Sequence, residues 1–133
     1  MRLVIIGGDA AGMSAASRFK RKVPDSEVIV LEQTQDVSYS ACGMPYNIAA
    51  PHRPIDDLVV RSAQVFQDRL HIDLRLGHRA TRIDPRKKEV KGVSAQGECV
   101  LSYDKLLIAT GPSPVIPDIP GSDLPGVMAL KSL

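Results

Sequence analysis

Tryptophan is missing from this chain of 133 residues, and aromatic residues make up only 4% of it. Binding to single-stranded nucleic acid relies on aromatic platforms beside basic residues, so the composition speaks against that class. An excess of charge is missing too. Seventeen Lys and Arg against 15 Asp and Glu leave +2, which gives no reason to expect a nucleic-acid or membrane-surface partner. No apolar run approaches the roughly 20 residues that a membrane span needs. The opening MRLVIIGGDAAGM does not read as a secretory leader, because its apolar run stops at Ile6 and Asp9 follows. We therefore expect a cytoplasmic protein. Cysteine is scarce as well. Cys42 and Cys99 lie far apart and make no disulfide framework. In a reducing compartment each is either inert packing or chemistry. We expect no metal site.

What is present suits one domain with an ordinary core: 44% of the residues are hydrophobic. Residues 2–6, RLVII, form a short β-branched run that ends at glycines, the pattern of a buried parallel strand. Residues 11–22 are rich in Ala and end in Arg and Lys, as a helix with cations near its carboxyl end does. Val23-Pro24-Asp25 breaks that helix. Residues 27–32, EVIVLE, read as a second buried strand, which completes a βαβ unit. Further on, a short helix is expected over 43–50, with Pro45 in its first turn. A loop is expected over 51–57, and a helix over 62–70 capped by Ser62. The runs 71–76, 80–84, 88–93 and 98–103 are short and alternating, and we expect them to form an antiparallel meander. Residues 104–110 return to a buried parallel strand. Five prolines between Gly111 and Gly126 then hold the tail extended.

Residues 7–12, GGDAAG, lie between the first strand and the first helix, where a dinucleotide fingerprint belongs. Gly7 and Gly8 begin the turn, Ala10 and Ala11 open the helix, and Gly12 lets helix and strand approach. The free N–H groups of the first helical turn suit a pyrophosphate. Glu32 follows about twenty residues later, placed to accept the hydroxyls of a ribose. The middle glycine of the pattern is Asp9 here. Its carboxylate must turn away from a pyrophosphate, or the loop must shift. The plain alternative is a glycine turn that binds no phosphate.

The other informative stretch is 38–46, SYSACGMPY. Small residues leave room around the Cys42 sulfur, and a helix starting just after it favours the thiolate, which is the nucleophilic form. The plain alternative is a buried thiol used as packing. No second cysteine lies near, so Cys42 is expected to cycle with a sulfur from outside as a mixed disulfide, or with oxygen as a sulfenic acid. Cys99 falls in a strand and is expected to pack.

Together, GGDAAG, SYSACGMPY and residues 102–111, SYDKLLIATG, resemble the single-cysteine branch of the pyridine nucleotide-disulfide oxidoreductases. These are the coenzyme A-disulfide reductases, NADH oxidases and NADH peroxidases. The resemblance covers essentially the whole chain. It implies a Rossmann-like FAD-binding α/β fold, a parallel sheet with a small antiparallel meander. It places FAD on Gly7, Gly8, Ala10, Ala11, Gly12 and Glu32, with the Ala109-Thr110-Gly111 turn closing over it. Cys42 is then the redox-active residue, and NAD(P)H is the electron source in the complete enzyme. Ser14, Arg18, Arg21 and Ser38 match positions that the coenzyme A branch sets against its substrate. A solvated helix end is the alternative for the two arginines. The branch often has Asn where this chain has Ala41, and Lys where it has Leu70.

Family members are much longer. The resemblance therefore implies that residues 1–133 are the N-terminal part of a discontinuous FAD domain, without NAD(P)H-binding and dimerisation domains, and inactive alone. The complete enzyme is expected to be a homodimer that acts on coenzyme A disulfide or a polysulfide. Two other functions stay open: an NADH oxidase or peroxidase working through a Cys42 sulfenic acid, and a non-catalytic nucleotide-binding redox module.

Overall fold

A computed structural model describes all 133 residues. Strand β1 (Arg2–Ile6) leads through helix α1 (Ala10–Lys22) into β2 (Glu27–Leu31). A 3-10 turn at Ala41–Gly43 runs into the short helix α2 (Met44–Ala49), a second 3-10 turn covers Ile55–Leu58, and α3 is Ala63–Leu70. Strands β3 (Asp73–Arg75), β4 (Arg79–Asp84), β5 (Glu89–Ser94), β6 (Gly97–Ser102) and β7 (Lys105–Ile108) follow. No regular element follows β7. No helix is long and apolar enough to cross a membrane.

The main sheet is parallel, in the order β3-β2-β1-β7. Its two inner strands read as unbroken apolar runs because each faces a core on both sides. Leu3, Ile5, Val28 and Val30 pack with Met13 and Ala16 of α1 and Phe66 of α3. Their neighbours Val4, Ile6, Ile29 and Leu31 pack on the other face, against Val90 and Leu101 of the meander. The result is three layers: helices, parallel sheet, antiparallel sheet. Full burial of each aliphatic side chain contributes about 1.5–3 kcal/mol, so β1 and β2 anchor both cores.

The antiparallel meander has three strands, β4-β5-β6, rather than four. The first expected member, residues 71–76, instead joins the main sheet as β3, pairing parallel with β2 from Ile29–Asp73 to Leu31–Arg75. Its alternation has a physical reason. An edge strand is covered on one face only, so Ile72 and Leu74 are buried against the helices while Asp73 faces solvent. Strand β7 is parallel to β1 as expected and is the outer strand of the sheet, with Leu106 and Leu107 half-buried and Lys105 and Ile108 exposed. Ser62 takes the capping position of α3, but its side chain makes no capping hydrogen bond.

Candidate functional site

The carboxyl ends of β1 and β2 carry the glycine loop and Glu32, the end of a parallel sheet where open α/β folds bind ligands. The loop is built by close backbone approach. A Cβ on Gly12 would collide with the Gly7 carbonyl, so only glycine lets α1 sit this near β1. A Cβ on Gly7 would collide with the Ala109 carbonyl at the end of β7, and Gly7 has a φ of 108°. Gly8 is enclosed by Val37 and Glu32, where a Cβ would lie 2.8 Å from Val37 Cγ1.

The first bond of α1 runs from the Met13 N–H to the Asp9 carbonyl at 2.9 Å, and no side chain caps the turn. The N–H groups of Ala10, Ala11 and Gly12 therefore stand free at the positive end of a 13-residue helix. Together with the glycine approach, they fit a diphosphate. Asp9 has extended backbone and occupies the capping position without using its carboxylate to cap. Its Oδ1 is buried and has no partner.

Glu32 is buried and already engaged. Oε2 accepts the Gly8 N–H at 2.7 Å, and Oε1 accepts the Thr34 N–H at 2.8 Å and the Thr34 hydroxyl at 2.9 Å. A carboxylate offers about four acceptor positions, so one remains, on Oε2. That is room for one ribose hydroxyl rather than two. Thr34 was not anticipated. Its signal is a hydroxyl residue directly after the strand, two positions past Glu32.

The segment after Glu32 turns back over the loop, with the Ser38 N–H on the Gly8 carbonyl at 3.2 Å and Ser38 itself left-handed (φ 52°). From there Tyr39 pairs with Val59, and the Ser40 N–H donates to the Leu58 carbonyl at 2.7 Å. This hangs Cys42 from the glycine loop through only a few residues. Cys42 is exposed, and it sits in the 3-10 turn just before α2. Gly43 keeps that turn tight, since a Cβ there would lie 2.6 Å from Leu58 Cδ2. Cys99 is half-buried in β6. The hydroxyl of buried Tyr39 is held above the ordinary tyrosine range, first by burial and then by Asp9, Glu32 and Asp36.

Ser14, Arg18 and Arg21 are exposed on α1, at spacings that share a helix face. Arg21 also lines an open cleft of about 170 Å³ between the ends of α1 and α3, together with Lys20, Pro24, Arg69, Leu70 and His71. Arg69 and His71 flank Leu70 and were not anticipated. The basic end of the 62–70 helix was their signal. A larger cleft, about 420 Å³, lies by Arg2, Glu27 and Asp104 at the amino ends of the strands, away from this chemistry. Thr110 and Gly111 are exposed beyond β7, and Ala109 is half-buried against Gly7.

Fold and loop define an α/β dinucleotide-binding unit with one exposed cysteine beside it. The chain belongs to the pyridine nucleotide-disulphide oxidoreductase family, whose model matches residues 1–132. That family uses FAD and NAD(P)H. The chain is 42% identical over 125 residues to an NAD(P)H sulfur oxidoreductase (CoA-dependent) of Pyrococcus abyssi, covering 94% of this chain and 27% of that one. It is 32% identical over 134 residues to an NADH oxidase of Methanocaldococcus jannaschii, covering 100% of this chain and 30% of the relative. The structure of an NAD-dependent persulfide reductase from A. fulgidus superposes with a TM-score of 0.92 at 41% identity, over 99% of this chain and 25% of that one. The chain thus spans less than a third of the length of these relatives.

Proposed function

We propose that these residues form the first part of the FAD-binding domain of an NAD(P)H-dependent reductase that acts on coenzyme A disulfide or a related polysulfide. Nicotinamide binding and dimerisation are assigned to other segments of the protein, and its setting to the cytoplasm. The observation that carries the reading is Cys42, an exposed thiol tied to the glycine loop with no second cysteine beside it. The similarity to a CoA-dependent sulfur oxidoreductase supports it.

Gly7, Gly8, Ala10, Ala11 and Gly12 would hold the FAD diphosphate. Glu32 would accept a ribose hydroxyl, and Ala109, Thr110 and Gly111 would border the cofactor. When bound, FAD supplies two-electron transfer between NAD(P)H and a sulfur centre. The Cys42 thiolate attacks one sulfur of the substrate disulfide, and the other sulfur leaves as a thiolate. Two electrons and a proton that originate from NAD(P)H then cleave the Cys42 mixed disulfide, restore the thiolate and release a second thiol. Arg18 and Arg21, with Lys20, Arg69 and His71 near the latter, offer cations for substrate phosphates. Ser14 and Ser38 would line the path between them and the sulfur.

A second reading is favoured by the similarity to an NADH oxidase: Cys42 cycles through a sulfenic acid and oxygen is the acceptor. NADH oxidation by protein containing this chain separates the two. Thiol release from coenzyme A disulfide, lost in Cys42→Ser, supports the reductase. Oxygen uptake indifferent to coenzyme A disulfide overturns it in favour of the oxidase.

A further inference from the structure

Asp9 stands where the fingerprint places the glycine that lets the backbone approach a pyrophosphate. Its backbone is extended, so the position does not demand glycine. An Asp in this place ordinarily turns its carboxylate back onto the N–H groups of the first turn. Here it does not, and those donors stay free while Oδ1 is buried without a partner. A buried acceptor left unpaired is costly and uncommon. Its surroundings are acidic as well. Glu32 and Asp36 act together with Asp9 on Tyr39, and the Gly8 N–H is already committed to Glu32.

We propose that Asp9 is a charge placed to weaken the hold of this loop on an anionic dinucleotide, so that it sets how readily FAD leaves. The free N–H groups of Ala10 to Gly12 and the Asp9 carboxylate act on the same diphosphate with opposite sign. The helix end attracts it, and Asp9 repels it across a partly desolvated loop where charges are poorly screened. This inference rests on the reading of the loop as an FAD site.

The test is the FAD dissociation constant of the protein containing this chain, followed by flavin fluorescence, for the native sequence, Asp9→Asn and Asp9→Gly. Asn keeps the shape and removes the charge, and Gly restores the usual fingerprint. At about 0.01 M salt both variants are expected to bind roughly tenfold tighter, the factor that about 1.4 kcal/mol of repulsion corresponds to. The advantage should shrink in part as salt rises toward about 1 M, where the screening length is only about 3 Å, without vanishing, because a partly buried pair is screened less than an exposed one. A structural role for Asp9 has no reason to show that salt dependence. Circular dichroism melts establish that each variant is folded, and Asn decides the matter if Gly is not. Equal or weaker binding by Asp9→Asn at low salt overturns the proposal, because Oδ1 would then be accepting a donor from the ligand or doing nothing. If the native protein and both variants fail to bind at millimolar FAD, the FAD reading of the loop falls, and this inference falls with it.

Discussion

The Gly8 N–H donates to Glu32 Oε2 at 2.7 Å, so the acidic residue at the end of β2 holds the glycine loop directly. A residue expected to meet a ribose is also a brace of the fold. Glu32→Ala would leave the buried Gly8 N–H and the part-buried Thr34 N–H unpaired, and should cost about 2–4 kcal/mol of stability. Urea unfolding midpoints measure this. A change below about 0.5 kcal/mol, as for an ordinary surface substitution, would contradict the bracing role.

Gly12→Ala separates local propensity from tertiary approach. In an unconstrained helix, Ala in place of Gly stabilises by about 1 kcal/mol. Here the new methyl would enter the Gly7 carbonyl, and we expect destabilisation by at least about 1–3 kcal/mol. The sign of the change in thermal midpoint decides.

Tyr39 gives the alkaline prediction. Burial, Asp9, Glu32 and Asp36 hold its hydroxyl above the ordinary range. The native state therefore keeps the proton after the unfolded chain, with its value near 10, has begun to lose it. The stability that this supplies is complete below about pH 10 and is lost as pH rises through the native value. Tyr39→Phe should accordingly flatten the fall in stability between about pH 9 and pH 11. Parallel curves for the two proteins would contradict it.

The cations of α1 should act on substrate phosphates rather than on sulfur chemistry. Arg21→Ala is expected to weaken adduct formation with coenzyme A disulfide by roughly 10- to 150-fold, one charge-assisted contact of about 1.5–3 kcal/mol. Reaction of the same variant with a small uncharged disulfide should be unchanged. Equal losses with both reagents would place Arg21 outside the phosphate site.

The inner strands and the glycine loop were legible because their signals are local. RLVII and EVIVL are apolar without interruption, as strands between two cores must be. Gly7 and Gly12 sit at the one strand-to-helix junction that needs them. The placement of 71–76 was not legible, because Ile72, Leu74 and Leu76 alternate as they would in any half-covered strand, and the partner of such a strand is a tertiary matter. The exposure of β7 was hidden for the same reason, since KLLI reads as a buried run whether or not a neighbour pairs with its outer edge. At the site, Cys42 and Glu32 could be named from their neighbours in sequence. Val37 on Gly8, and Arg69 and His71 beside Arg21, come together only when the chain turns back on itself.

The central claim is that Cys42 is the residue through which the protein handles sulfur. Non-reducing mass spectrometry after incubation with coenzyme A disulfide tests it most directly. We predict one adduct of the mass of coenzyme A, on Cys42, removed by a reductant, absent in Cys42→Ser and retained in Cys99→Ser. A chain that stays unmodified, or one modified at Cys99 alone, would contradict the account.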